Sequence, residues 1–501
     1  MILVTLASKG LGYVREAVVA AVFGTSATVD IYLAAVAVPA AVGTVISYAI
    51  PNAFVPLFTA GGAVPSRARR AAWGVLSAMA AASILAWMMA RPLARITAAG
   101  FSAAEFAATV SLLRVGAWVI ALATIEALGR SRLWAQKRFV LPGLAYFWQG
   151  AAVIIAVLIW PEYGARALIW GYTAGTGAAA IWNLILGARA HVTAPPVLPP
   201  DAEESGTSTG WWVAAVLLTD TIAQAFAIVD RNLGSYLASG SIAALQYANL
   251  LAFLPFSIVG MGLATAVFPF LSEATAARDG AEVALIIDRA VRWSLLVIAP
   301  VVLWFVLFRE EIVTLLFQRG AFGLASRHLT GTALAVFSLG LVPNVLGAIW
   351  ARAFYASRRW QPILYGSLLG LATKAVCGWW WVQSAGVAGL AAATAVAYVV
   401  WLVPLVAMGG TWVSGRAIIS WGWLTLRLWL VVGIPGVLVI LLWPALQPAP
   451  AVSSHLSATL RLGAAVILGL LCLVLIGRRW RLREVELASS QVIHWLRRRG
   501  D

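Results

Sequence analysis

Residues 2–58 read ILVTLASKGLGYVREAVVAAVFGTSATVDIYLAAVAVPAAVGTVISYAIPNAFVPLF, two apolar runs (2–24 and 29–58) joined by a short polar turn. Each is long enough to cross a bilayer, which takes ~20 residues of α-helix. Yet Lys9, Arg15, Glu16 and Asp30 lie inside them. A charge near the middle of a spanning helix costs roughly 2.5–3.5 kcal/mol, so such groups face a cavity or one another and mark a transport path. The stretch predicts a membrane-embedded helical bundle with a polar interior, not an inert anchor.

The rest of the chain repeats the pattern. Of its 501 residues 62% are hydrophobic and 11% charged, where a soluble domain carries about 25% charged residues. Lipid must therefore solvate most of the surface. The expected fold is an all-α integral membrane protein with about 14 transmembrane helices. Beyond the first two runs, spans fall near 72–90, 105–127, 140–160, 166–188, 211–233, 242–270, 287–308, 328–350, 362–382, 386–408, 422–443 and 458–477. Pro39, Pro51 and Pro255 predict kinks in the second and eighth. The opening segment lacks the basic start and cleavage site of a leader peptide, and its shortness suggests a start further upstream.

The clearest break is HVTAPPVLPPDAEESGTSTG at 190–209. It predicts a six-helix lobe over 1–189, a cytoplasmic linker over 190–209 and a second six-helix lobe over 210–410. Two further helices over 411–477 and a basic tail over 478–501 complete the chain. Two lobes around a central cavity are the usual plan of a transporter built from repeats. Arg67, Arg69 and Arg70, then Arg130, Arg132, Lys137 and Arg138, and then the arginine-rich tail all fall on one side if the N-terminus is inside. Both termini are thus expected in the cytoplasm. The tail can lie on the anionic inner leaflet or serve as a solvated topology anchor. The net charge of +16 is spread over short loops, which fits topology rather than nucleic-acid binding. Cys377 and Cys472 sit in apolar spans, with no disulfide framework and no zinc spacing. No Walker motif, catalytic triad or carboxylate pair points to nucleotide drive or catalysis.

Several stretches, in order, resemble the MurJ/MviN family, the lipid II flippases of the multidrug/oligosaccharidyl-lipid/polysaccharide exporter superfamily. They are Ser8-Lys9-Gly10-Leu11-Gly12-Tyr13-Val14-Arg15-Glu16 with Phe23-Gly24 and Asp30, then Ala53-Phe54-Val55-Pro56, and Val229-Asp230-Arg231. Leu237 to Ile242, Leu316-Phe317-Gln318-Arg319-Gly320-Ala321-Phe322, Ala353-Phe354-Tyr355 and Gly386 to Ala391 continue it. The resemblance implies a V-shaped bundle in the bacterial cytoplasmic membrane that moves an undecaprenyl-diphosphate-linked saccharide between leaflets. It needs no cofactor and works as a monomer among membrane lipids. The chain also departs from the family pattern. Ala40-Ala41-Val42-Gly43-Thr44-Val45 and Tyr247-Ala248-Asn249-Leu250 each lack a family arginine, and Lys9 replaces a third. The cargo is accordingly read as a peptidoglycan precursor or an exopolysaccharide unit.

The candidate headgroup residues are Lys9, Arg15, Glu16, Asp30, Arg114 and Asn249. On a helix Lys9 and Glu16 lie about 20° apart with Arg15 beside them. Arginine forks match phosphate oxygens and lysine acts as a point charge, while Glu16 keeps both paired when the site is empty. Arg114 is the lone cation of its span, and Asn249 is a mid-bundle amide. The candidate coupling residues are Asp220, Asp230, Thr373, Lys374 and Thr394. Some members of the resembled family bind sodium between the seventh, eleventh and twelfth spans. Here Lys374 places an ammonium there, so the chain is expected to be sodium-independent, with Lys374 paired to Asp230 or Asp220. Glu126 and Arg130, four apart, read most simply as a surface helix pair. Trp148 and Trp182 are the tryptophans kept open as sugar platforms. Two other functions stay open: a cation-coupled drug or metabolite exporter of the same superfamily, and a non-transporting membrane scaffold.

Overall fold

The computed structural model describes residues 2–59, 66–189, 208–410, 412–446 and 454–479. Nearly all of the expected linker at 190–209 and of the basic tail lies outside them. The described residues form helices and short connections, with no strand among them. Nine of these helices are long and apolar enough to cross a membrane, or ten if a pair bent by 44° at Gly340 counts as one span.

That count is made by length and composition among the described residues, and some expected spans do not enter it separately. Helix α17 (Gln361–Met408) is one helix by hydrogen bonding but breaks at Gly386, where φ is 55° and ψ −129°. It is a hairpin of two antiparallel helices counted once, with Gly366 against Trp401 and Lys374 against Thr394, so both spans expected at 362–382 and 386–408 are present. Helix α9 (Ala165–Arg189) is diluted by glycine, threonine and Asn183. Helix α10 (Ser208–Gly234) carries Asp220, Asp230 and Arg231. The predicted kinks are only partly realised. Helix α2 (Ala27–Thr59) continues through Pro39, Pro51 and Pro56, whereas Pro255 ends α11 (Ser241–Pro255) in a wide π-helical turn, Phe256–Gly260.

The chain divides into two compact units, one of residues 1–244 with 319–326, the other of 245–318 with 327–501. Helix α10, which follows the expected linker, packs against α2 and α4 (Ala90–Thr97) and belongs to unit 1. The Gly320-Ala321-Phe322 stretch belongs to unit 1 as well. The N–H of Ala321 donates to the carbonyl of Ala21 at 2.7 Å, and Thr25 Oγ1 donates to Ser326 Oγ at 2.8 Å.

Unit 1 is built around α2, α6 (Trp118–Ala135), α8 (Ala145–Ile159) and α9, which pack on one another and on α1 (Ile2–Phe23) and α5 (Ala103–Gly116). Lipid gives helices no hydrophobic reason to associate, so close approach of small residues holds them together. At Gly129 a Cβ atom would lie 2.6 Å from the backbone of Asn183, so only glycine lets α6 and α9 meet there. Ser102 and Glu105 form a reciprocal capping box that starts α5.

In unit 2, α13 (Gly280–Leu307) begins at Asp279, whose carboxylate caps the N–H of Glu282 at 2.9 Å. It packs against α12 (Met261–Ala276), α16 (Leu341–Ala356) and α18 (Gly415–Leu446). Asp288 ties α13 to α18 by accepting from the Trp421 indole at 2.8 Å, and Arg292, four residues on and bonded to Asp288 at 2.8 Å, donates from Nη2 to Ser420 Oγ at 2.8 Å. Helix α19 (Ser454–Arg479) folds back on α18.

Candidate functional site

Four helices of unit 1 bring charge together. On α1, Arg15 Nη2 donates to Glu16 Oε1 at 2.5 Å, with the two side chains 24% and 11% exposed. Tyr32 of α2 and Tyr172 of α9 lie within electrostatic range of Arg15. Arg231 of α10 lies within range of Asp230, Asp30, Glu16 and Tyr32. Guanidiniums held against carboxylates inside a bundle keep their positions when no anion is present, and a phosphate can compete for them. Lys9 belongs to the same helix, and its side chain lies outside the described residues.

Asp30 has a different role from the cargo contact expected of it. It is 3% exposed, and its two oxygens accept the N–H groups of Gly240 at 2.6 Å and Ala243 at 2.7 Å. These are the orphan amides at the start of α11, so Asp30 is a helix cap supplied from another helix. Asp30→Ala is expected to cost roughly 2–4 kcal/mol, and Asp30→Asn less because one acceptor survives. Thermal unfolding of the purified protein measures both, and equal losses would contradict the capping role.

Away from this cluster a cavity of about 410 Å³ opens inside unit 1. Its wall is mostly apolar and is crossed by polar side chains at helical spacing: Thr44, Ser47, Tyr48 and Asn52 on α2, and Glu126 and Arg130 on α6, next to Trp134. Tyr146 and Gln149 of α8 face Tyr172 and Thr176 of α9. Tyr172 both lines the cavity and lies near Arg15, so it joins the cavity to the charged cluster.

Glu126 and Arg130 are not a surface pair. They are 8% and 4% exposed. Arg130 Nη1 donates to Tyr146 Oη at 2.9 Å and Nη2 to the carbonyl of Ser47 at 2.9 Å. Nη2 also lies 3.2 Å from Glu126 Oε2, and Asn183 Nδ2 donates to Glu126 Oε1 at 2.8 Å. The guanidinium stacks 5.5 Å from the centre of the Trp134 ring. Across the cavity Gln149 Nε2 donates to Thr176 Oγ1 at 3.0 Å.

The other expected residues scatter. Arg114 is exposed on α5, with its guanidinium 5.3 Å from the centre of the outward-facing Trp87 ring, and does not line the cavity. Trp148 and Trp182 lie 5.7 Å apart outside the cavity, with Trp182 Nε1 donating to Leu141 O at 3.1 Å. Asp220 is half-buried, within electrostatic range of Tyr48 on the cavity wall. Asp230 is 8% exposed beside Arg231. In unit 2 Asn249 is exposed and Thr373 half-buried. Lys374, 2% exposed, donates from Nζ to Thr394 Oγ1 at 2.9 Å. The break at Gly386 lets the two halves of α17 meet there, and the Thr394 hydroxyl donates its own hydrogen bond to Leu390 O at 3.1 Å. No group of acidic, histidine or cysteine side chains among the described residues could hold a metal ion.

The sequence reading missed the cavity walls. A signal was present: Tyr172, Thr176 and Asn183 are spaced four and seven apart in an otherwise apolar helix, and Thr44, Ser47 and Tyr48 repeat three and four apart.

A protein from Rhizobium meliloti described as a probable lipid II flippase MurJ is 27% identical over 372 residues, covering 70% of this chain and 68% of the relative. The lipid II flippase MurJ of Burkholderia cenocepacia is 26% identical, covering 71% and 72%. In fold the chain is similar to a solved lipid II flippase MurJ in an inward closed conformation, with a TM-score of 0.77 at 18% identity over 95% of this chain and 98% of that one. It is similar to an inward-facing multidrug resistance MATE family transporter at a TM-score of 0.61 and 13% identity, covering 84% and 98%. The model of the lipid II flippase MurJ family matches residues 19–460, nearly the whole membrane-embedded chain, and the chain belongs to that family.

Proposed function

We infer that this protein flips a polyprenyl-diphosphate-linked saccharide, a lipid II-like peptidoglycan precursor, across the bacterial cytoplasmic membrane. The observation that carries the reading is family membership over residues 19–460. The diphosphate is read as engaging Arg15, with Lys9 on the same helix and Glu16 as the resting counter-ion. The protein works as a monomer with both termini in the cytoplasm. No nucleotide is needed: moving one charge through the membrane potential yields roughly 2.3 kcal/mol per 100 mV.

The test is rescue of a strain depleted of its own lipid II flippase. Wild-type protein is expected to restore growth. Arg15→Ala is expected to lose rescue, and so is Arg15→Ala/Glu16→Gln, which removes both charges of the pair and should therefore keep a melting temperature closer to wild type than Arg15→Ala does. Wild-type failure would sink the flippase reading, whereas rescue by Arg15→Ala would sink only the phosphate contact.

Lys374 supports a second expectation, independence of sodium. Its ammonium occupies the oxygen of Thr394 that a bound monovalent cation would need, at a position 2% exposed. Exchanging sodium for choline is expected to leave both transport and melting temperature unchanged. A sodium-dependent rise in melting temperature would contradict this.

A further inference from the structure

We propose that the cavity inside unit 1 is a saccharide subsite, receiving an uncharged, hydroxyl- and amide-bearing sugar of the cargo while the diphosphate stays with Arg15. The proposal rests on the flippase reading and assigns this cavity a ligand chemistry.

Charge comes first. Among the described residues, the only formal charges on the cavity wall are Glu126 and Arg130, and they cancel. Each terminal guanidinium nitrogen is engaged, by Tyr146, by the Ser47 carbonyl and by Glu126. A phosphate at Arg130 would have to compete with Tyr146, the Ser47 carbonyl and Glu126, and displacing Glu126 would leave a buried carboxylate without its cation, which is strongly unfavourable. The cavity therefore discriminates against the charged part of the cargo.

The rest of the wall points to a neutral polar ligand. Asn52 and Gln149 bring planar amides, Gln149 held in place by donating to the Thr176 hydroxyl, which itself donates to the Tyr172 carbonyl. Tyr48 and Tyr146 are 60% and 52% exposed, so each presents ring surface together with a phenol. The Tyr146 oxygen accepts from Arg130 and keeps its own proton to donate. An acyl chain placed here would strip water from these groups and return no hydrogen bonds. A pyranose offers hydroxyls to the amides and phenols and C–H faces to the rings. A volume of about 410 Å³ lies within the range of small-molecule sites.

The experiment uses the full chain in lipid nanodiscs with two probes, N,N′-diacetylchitobiose and inorganic pyrophosphate, followed by saturation-transfer NMR. The disaccharide is expected to bind with an affinity insensitive to sodium chloride. Gln149→Ala, Asn52→Ala and Trp134→Ala should each weaken it about threefold to tenfold, with melting temperatures confirming that the variants fold. Arg15→Ala should abolish the pyrophosphate signal and leave the disaccharide signal in place. The proposal is overturned if the disaccharide does not bind, if all three cavity variants bind it like wild type, or if its binding is lost in salt or with Arg15→Ala. A wild-type protein that rescues the depleted strain yet fails these tests leaves the flippase reading standing without the subsite. Failure to rescue removes the flippase reading instead.

Discussion

Glu126→Ala is expected to destabilise unit 1 by about 3–5 kcal/mol, the cost of leaving one member of a buried ion pair alone. Arg130 would then sit at 4% exposure with only the Tyr146 oxygen and the Ser47 carbonyl to receive its charge. Arg130→Ala should cost a similar amount, since Glu126 would keep only its bond from Asn183. Removing both charges in a Glu126→Leu/Arg130→Met double variant should cost much less than the sum, because no uncompensated charge remains. The measurement is a double-mutant cycle on melting temperatures or denaturant midpoints of the purified protein. An exposed i,i+4 pair would instead lose only about 0.3–0.5 kcal/mol, so the size of the effect decides between the buried and surface assignments.

Gly320→Ala and Gly240→Ala are expected to cost at least about 3 kcal/mol each, combining a disfavoured left-handed backbone with steric overlap. Gly320 has φ 57° and Gly240 φ 91°. An added Cβ at Gly320 would fall on the carbonyl oxygen of Ala21, and one at Gly240 on that of Thr25. Both contacts are with backbone, which cannot turn aside as a flexible side chain can. The end of α1 and the turn into α2 are therefore clamped by two distant glycines. Gly74→Ala is the control, because a Cβ there meets nothing within 4 Å and should stabilise helix α3 (Ser66–Met88) by up to ~1 kcal/mol. Comparable melting temperatures for all three variants would refute the clamp.

These two glycines also explain the resemblance read from the sequence. The Gln318-Arg319-Gly320-Ala321-Phe322 stretch could be matched to a family as a string, but nothing in the string says what it touches. In the folded chain Gly320 and Ala321 rest on the last turn of α1.

Arg114 and Arg130 mark the limit of linear reading. Arg114 lies mid-span and was expected in the interior, yet it stacks on an outward-facing tryptophan. Arg130 lies near a span end with a glutamate four residues earlier, the usual look of a surface pair, yet it is buried. Both are cations on largely apolar helices, and their neighbours differ. Helix α6 packs on both α2 and α9, so its Glu126–Arg130 stripe meets Ser47 and Asn183. The Arg114 face of α5 meets Trp87 instead.

From the sequence alone, apolar length determines that the chain is a membrane-embedded helical bundle, and intramembrane charge determines that its interior is polar, because backbone and ions in hydrocarbon have few alternatives. The ordered motifs add the family. Which charges meet, which cap a helix and which line a cavity was decided only by tertiary packing. Hydropathy assigns each residue a value along one dimension, whereas the side of a helix that faces inward depends on helices distant in sequence. Asp30 shows this best, since the two amides it caps lie 210 and 213 residues away.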